Sequence, residues 1–447
     1  MGVGFAEWFE MTYISILRPL TISLVGVAIS FLLYGETLSW LSVLLVAFFV
    51  FCVLAFLNFE VLHPAVWFLP FLFLYHFSIF FLSLIGARNL ISPEETLWAS
   101  WLALYIGGVV FSCFSPVKVT NSISFLHLSY YSILLLYVFF AFLVVAINYI
   151  FHVYGLESKA EVRGSGLNKF YPVITWFLFF SCCMVFLWHS GYVKHIFGWL
   201  SLLSFVIFFA TAINLGERNF FFAFLVFFFM SAFSMGKIGK KKLLLISLVL
   251  LALIPILGGF KNAFSGGGSW SGGFSKLLFD LINGEFRSAG YNLDYVIGYK
   301  AEWDLFYGKT FFVDFVKSIV PNSIFSLEGA IGWYNKKFHP DVFYAGRGYG
   351  FSILAEGYIN FGLWGVALVS VVLTLGISIF YKAARNNGVV LFCYVFCIPI
   401  FIYSIRADAS NIISPIIKSL LIPGVVLWLF YVLARKSELK HEVLVSD

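Results

Sequence analysis

The sequence predicts an all-α polytopic membrane protein of about twelve transmembrane helices with one large extracytoplasmic loop, and three observations lead there. Hydrophobic residues make up 61% of the chain and charged residues 11%, proportions that exclude an ordinary soluble domain. Runs of about 18 residues without a charge recur, the length a helix needs to cross roughly 30 Å of hydrocarbon. Only the stretch from 260 to 350 interrupts them at length, mixing charges with Trp270, Trp303 and Trp333.

In order, the apolar runs cover 17–34, 39–57, 64–85, 97–114, 128–153, 170–188, 196–214, 219–235, 243–259, 352–381, 388–404 and 412–434. The chain is therefore expected to divide into nine spans within 1–259, a loop over 260–350, three spans within 351–435 and a tail over 436–447. Lys237 with Lys240 to Lys242, Lys382 with Arg385, and Arg435 with Lys436 and Lys440 all fall on one side, and positive charge marks the cytoplasmic side. The large loop is then extracytoplasmic and both termini cytoplasmic. Lys159, Arg163 and Lys169 fall on the wrong side of this scheme. The opening MGVGFAEWFE leads into a span without a small-residue cleavage site, so the first helix is expected to remain as the insertion signal.

The cysteines, including the Cys393 and Cys397 pair one turn apart, lie in apolar runs with no histidine or carboxylate nearby to complete a metal site, so no metal and no cofactor are expected. SGGGSWSGG, from Ser265 to Gly273, lacks the lysine and following helix of a phosphate-cradling loop and reads as a flexible entry. The loop beyond it is aromatic enough to fold onto the membrane surface rather than act as a linker.

In a membrane protein an ionisable group at the end of a span is a candidate for function. Arg88 in GARN, Arg218 in GERN, and Arg406 with Asp408 in SIRADAS each sit in a short extracytoplasmic hairpin. Their guanidinium forks suit a phosphate or diphosphate at the bilayer surface. The densest segment starts at Arg347 and runs through Glu356, Tyr358, Asn360 and Gly365. It carries a carboxylate about four residues into an apolar helix, where burial suits a proton acceptor. The competing reading of Glu356 is an ion pair with Arg347 or Arg406. Lys418, inside the last span, is expected to pair with Asp408 or another carboxylate. His339, beside Pro340, reads as a loop-surface residue.

SILAEGYINFGLWG, Ser352 to Gly365, resembles the motif of the bacterial O-antigen polymerase or Wzy family, and GERNFFFAFLVFFF resembles that family's arginine at the start of a central span. The resemblance runs from Asn214 to Arg435. It implies a GT-C-like architecture in the bacterial inner membrane and a glycosyltransferase that transfers a growing glycan from undecaprenyl diphosphate to a new lipid-linked repeat unit. It also implies a chain-length regulator as partner, and no nucleotide or nucleic acid. Under it Glu356 is the base or its orienter, and Arg218, Arg347 and Arg406 hold the diphosphate. Arg88, Arg287, Lys261, Tyr358, Asn360 and Asp408 are further substrate-binding candidates. A ligase that moves finished polymer to lipid A, for which His339 would matter, and a flippase for lipid-linked oligosaccharide stay open.

Overall fold

A computed structural model describes residues 5–432 apart from 35–37, 117–129, 156–161, 163–164, 166, 194–195, 216–217, 265–278, 280, 321–326 and 345–347. Among the described residues it is all helix, with no strand. Among the described residues nine α-helices precede the loop: α1 (Phe5–Leu33), α2 (Trp40–Phe56), α3 (Pro64–Leu84), α4 (Pro93–Ser112), α5 (Tyr130–Val153), α6 (Tyr171–His189), α7 (Ile196–Leu215), α8 (Arg218–Ser234) and α9 (Lys240–Phe264). The loop holds a π-turn, Leu281–Phe286, then α10 (Arg287–Gly298), α11 (Lys309–Ile319), α12 (Ala330–Phe338) and α13 (Pro340–Tyr344). The chain returns through α14 (Ile353–Ala384), α15 (Gly388–Ser404) and α16 (Ser410–Val432), the last interrupted by a π-turn at Ile416–Leu421.

Every apolar run of the sequence lies on one of these helices. Among the described residues seven helices are long and apolar enough to cross a membrane, and α2, α8 and α15 are shorter apolar helices. Local signals set several starts: Ser39, Ser352 and Asn387 accept hydrogen bonds from the free N–H groups of α2, α14 and α15. Pro64 and Pro93 stand in first turns, where a missing N–H costs nothing. Phenylalanines divide between two roles. Phe49, Phe68, Phe77, Phe80 and Phe177 are buried between helices, whereas Phe31, Phe48 and Phe142 face outward, as suits contact with acyl chains.

The loop is fastened to the bundle. Asp294 of α10, fully buried, accepts from the N–H groups of Ile91 and Ser92 and from the hydroxyl of Thr96, closing the start of α4. α14 bends at Phe361 and Gly362, where Gly362 takes φ +62°. Across the bend the backbones of Gly357 and Gly365 touch, and a Cβ on either would run into the other's carbonyl group. Gly365→Ala should therefore cost about 1–3 kcal/mol, the usual range for overpacking, and lower the amount of folded protein in the membrane. Gly376→Ala, on the same helix with nothing within 4 Å, should change little. Equal membrane levels for the two variants, measured by blotting, would refute this packing constraint.

Candidate active site at the loop end of the bundle

Two of the arginines singled out from sequence meet. Arg218, the first residue of α8, and Arg406, just past α15, reach the same carboxylate: Arg218 Nη2 donates to Glu285 Oε1 at 2.6 Å and Arg406 Nη1 to Oε2 at 2.8 Å. Glu285 lies in the π-turn and is largely buried. Burial opposes its charge, but Arg218 and Arg406 outweigh that and hold its carboxyl below the ordinary value. Arg406 also stacks 5.0 Å from the Tyr403 ring.

The three charged groups line a cavity of about 790 Å³ whose remaining walls are mostly apolar, from α3, α6, α8, α9 and α15. Along α8 the lining runs from Arg218 to Met230, twelve residues or about 18 Å at helical rise. The cavity is thus polar at the loop end and apolar along its depth.

A second cluster lies beside it. Glu356 is fully buried, with Oε1 accepting from Thr310 Oγ1 at 3.0 Å and Oε2 from the Ala409 N–H at 2.7 Å. Asn360 donates to Thr310 Oγ1 and accepts from the Gly308 N–H. Asp408 accepts from Ser410, Asn411 and the Ile331 N–H. The carboxyl of Asp314 on α11 is buried, faces that of Asp408 and lies close to Glu356. The Gly329 backbone sits so close over Asp314 that a Cβ there would collide with the carboxyl. The two clusters join through the backbone, because the Arg406 carbonyl accepts from the Phe351 N–H just before α14.

The other candidates are placed differently. Glu356 is not paired with Arg406, whose guanidinium is on Glu285. Arg347 lies outside the described residues, as does all of Ser265 to Gly273, and of Lys261 only the backbone, in the last turns of α9, is described. Arg287 donates to Asn283 and is held below its ordinary value by burial and by the neighbouring charge of Arg88, so these two arginines form a separate pair of cations. Tyr358 is buried against Trp303, away from Glu356, with Lys300 over its ring. Lys418 corrects an expectation. It is exposed and makes no ion pair among the described residues, since the donors around Asp408 are nearer in sequence. His339 is half-buried among Tyr295, Tyr334 and Tyr349 rather than on the surface. Sequence reasoning missed Glu285, Asp314 and Thr310, which lie in the loop, where no apolar run marks a span; for Glu285 the only cue is a lone acid two residues before Arg287.

A family model of the O-antigen polysaccharide polymerase Wzy matches residues 14–438. The chain belongs to the Wzy family. No curated protein and no solved structure matches it. Wzy proteins are polysaccharide-polymerising glycosyltransferases of the inner membrane, and the family implies a lipid-linked repeat unit as substrate.

The carboxyl cluster gives this Wzy chain a testable pH dependence. Burial and then the Asp408 carboxylate push Asp314 up from 3.8 to about 7, with Lys317 opposing, while Glu356 is the third acid nearby. The folded protein then keeps a proton the unfolded chain releases, so stability falls as pH rises from about 4 through 7. In thermal unfolding of detergent-solubilised protein, Asp314→Asn should flatten that slope. An identical slope in both proteins would show that Asp314 does not hold the proton.

Proposed function

We propose that this chain joins undecaprenyl-diphosphate-linked repeat units at the extracytoplasmic face of the inner membrane, with the twelve apolar runs of the sequence spanning it, and that Arg218 and Arg406 hold the departing diphosphate. One observation carries the reading: two guanidinium groups converge on a single anion in the wall of a largely apolar cavity that is lined along about 18 Å of α8. A lipid-linked diphosphate has that division, an anionic head on a long hydrocarbon chain. The flippase reading wants charge spread through the depth of the bundle, whereas here it collects at one end.

In the transfer, the bond from the sugar's anomeric carbon to the diphosphate oxygen breaks and its electron pair stays on the diphosphate. A new bond forms from that carbon to the acceptor hydroxyl oxygen, and the hydroxyl proton passes to a base. The arginines meet charge as it develops on the leaving group, where fixed donors lower the barrier most. Glu356 is the base or its close partner. Its present hydrogen bonds support the partner role, because by holding Ala409 N–H and Thr310 it fixes the stretch from Arg406 to Asp408 against α11 and so aims Arg406. Tyr358, Asn360 and Asp408 complete the proposed acceptor side, with the aromatic loop as sugar surface, and Arg347 joins the proposed clamp.

Substitutions at the arginines and at Glu356 test this. Arg218→Ala or Arg406→Ala should slow polymerisation by roughly 10²–10³-fold, and the Lys variants, which keep charge but lose the fork, should remain impaired. Full glycan ladders from both Lys variants at normal protein level would sink the clamp. Glu356→Gln, which cannot take a proton and offers Ala409 or Thr310 a donor in place of an acceptor, should leave single repeats without a ladder. Normal polymer from a normal amount of that variant would remove Glu356 from the mechanism.

A further inference from the structure

The clamp already holds an anion. One carboxylate bridges both guanidinium groups, each oxygen engaged by a different arginine. Two arginines above an apolar cavity repel each other, so a bridging anion is what keeps their forks converging. We infer that Glu285 is a positioning residue of the polymerase: its carboxylate presets Arg218 and Arg406 and is exchanged for the substrate's diphosphate.

The inference rests on the proposed role of the two arginines, and three further features support it. Glu285 belongs to the loop, not to a span, so it can leave without moving the bundle. Its backbone is a π-turn, a helical form that occurs in single turns and is frequent at functional sites. Beside it Gly284 has open space, with nothing within 4 Å of where a side chain would start. The π-turn is nevertheless anchored at its end by Phe286, buried against Phe71 and Tyr75, which limits the excursion to the turn and its carboxylate.

The exchange has a direction. A diphosphate offers more oxygens and more charge than one carboxylate and brings a prenyl chain that fills the cavity, so it displaces Glu285. Once the glycan has moved, Glu285 competes for the arginines again and speeds departure of the spent carrier. Removing the carboxylate should therefore tighten binding of both substrate and product diphosphates and make turnover more sensitive to product.

The test uses the full chain in lipid nanodiscs with farnesyl diphosphate as probe, titrated by calorimetry. Glu285→Gln should bind at least about tenfold tighter than the natural chain, because the competent state no longer has to be vacated, and polymerisation by this variant should show a lower KM together with a lower kcat. Unchanged or weaker binding overturns the exchange. Arg218→Ala and Arg406→Ala, run alongside, separate the two levels: wild-type protein that fails to bind the probe, or binding that survives both Ala variants, rejects the clamp itself. Should Glu285→Gln fail to fold, hydrogen exchange of the wild-type chain decides. Amides of Leu281 to Phe286 should exchange faster at saturating farnesyl diphosphate, and equal or slower exchange would show that Glu285 stays in place.

Discussion

Glu356 has no solvent to answer its charge, so both of its oxygens must find donors within the protein. The donors come from two separate elements, Thr310 of the loop helix α11 and the Ala409 N–H ahead of α16. That requirement fixes where the loop sits: α11 cannot lift from α14 without stranding a buried carboxylate. Asn360 carries the constraint one turn further, bonding Thr310 on one side and Gly308 on the other. Asp294 repeats the device at α4, so the loop is held down by acceptors reaching otherwise free N–H groups at helix starts.

From this attachment the arginine site follows. Arg406 and Glu356 share a short stretch of backbone, and Arg406 projects over the cavity while Ala409 is held by Glu356. α10 is anchored on α3 and α4, which brings the π-turn and Glu285 over the same cavity from the other direction. The acids thus divide by partner. Glu285 meets two cations that hold its carboxyl below the ordinary value, whereas burial and then the Asp408 carboxylate push Asp314 upward. Two neighbouring sites of opposite electrostatic character result from one loop folding onto one end of the bundle.

Much of the helical architecture was legible in the sequence, because a lipid-crossing helix announces itself by length and lack of charge, and every apolar run proved to lie on a helix. The meeting of Arg218 and Arg406 was legible too, since one stands at the start of α8 and the other just past the end of α15, and antiparallel runs bring those two positions to one end of the bundle. The bend at Phe361 and Gly362 was visible only as a row of glycines. The roles of Glu285, Asp314 and Thr310 were not readable, because each depends on a contact across 46 or more residues of chain, and nothing periodic links such pairs. Lys418 misled for a related reason. A charge inside an apolar run seems to demand a buried partner, yet a long side chain can reach outward along the helix, and it is exposed.

The shape of the cavity bears on why such an enzyme uses lipid carriers. A free activated sugar would satisfy the arginines but leave the apolar depth unfilled, gaining nothing from Phe71, Phe222 or Met230. A prenyl chain removes that wall from contact with water or bilayer and gains energy with each buried methylene, about 0.8 kcal/mol in transfer from water. Most of that gain is absent when the chain arrives from the membrane, since acyl chains are as apolar as the wall. On the proposed reading, discrimination among membrane-borne ligands must therefore come from the polar end, where two guanidinium forks suit a diphosphate and have little to offer a neutral or singly charged head group. The proposed division then has the cavity select for a lipid-borne ligand and the arginine pair select which lipid.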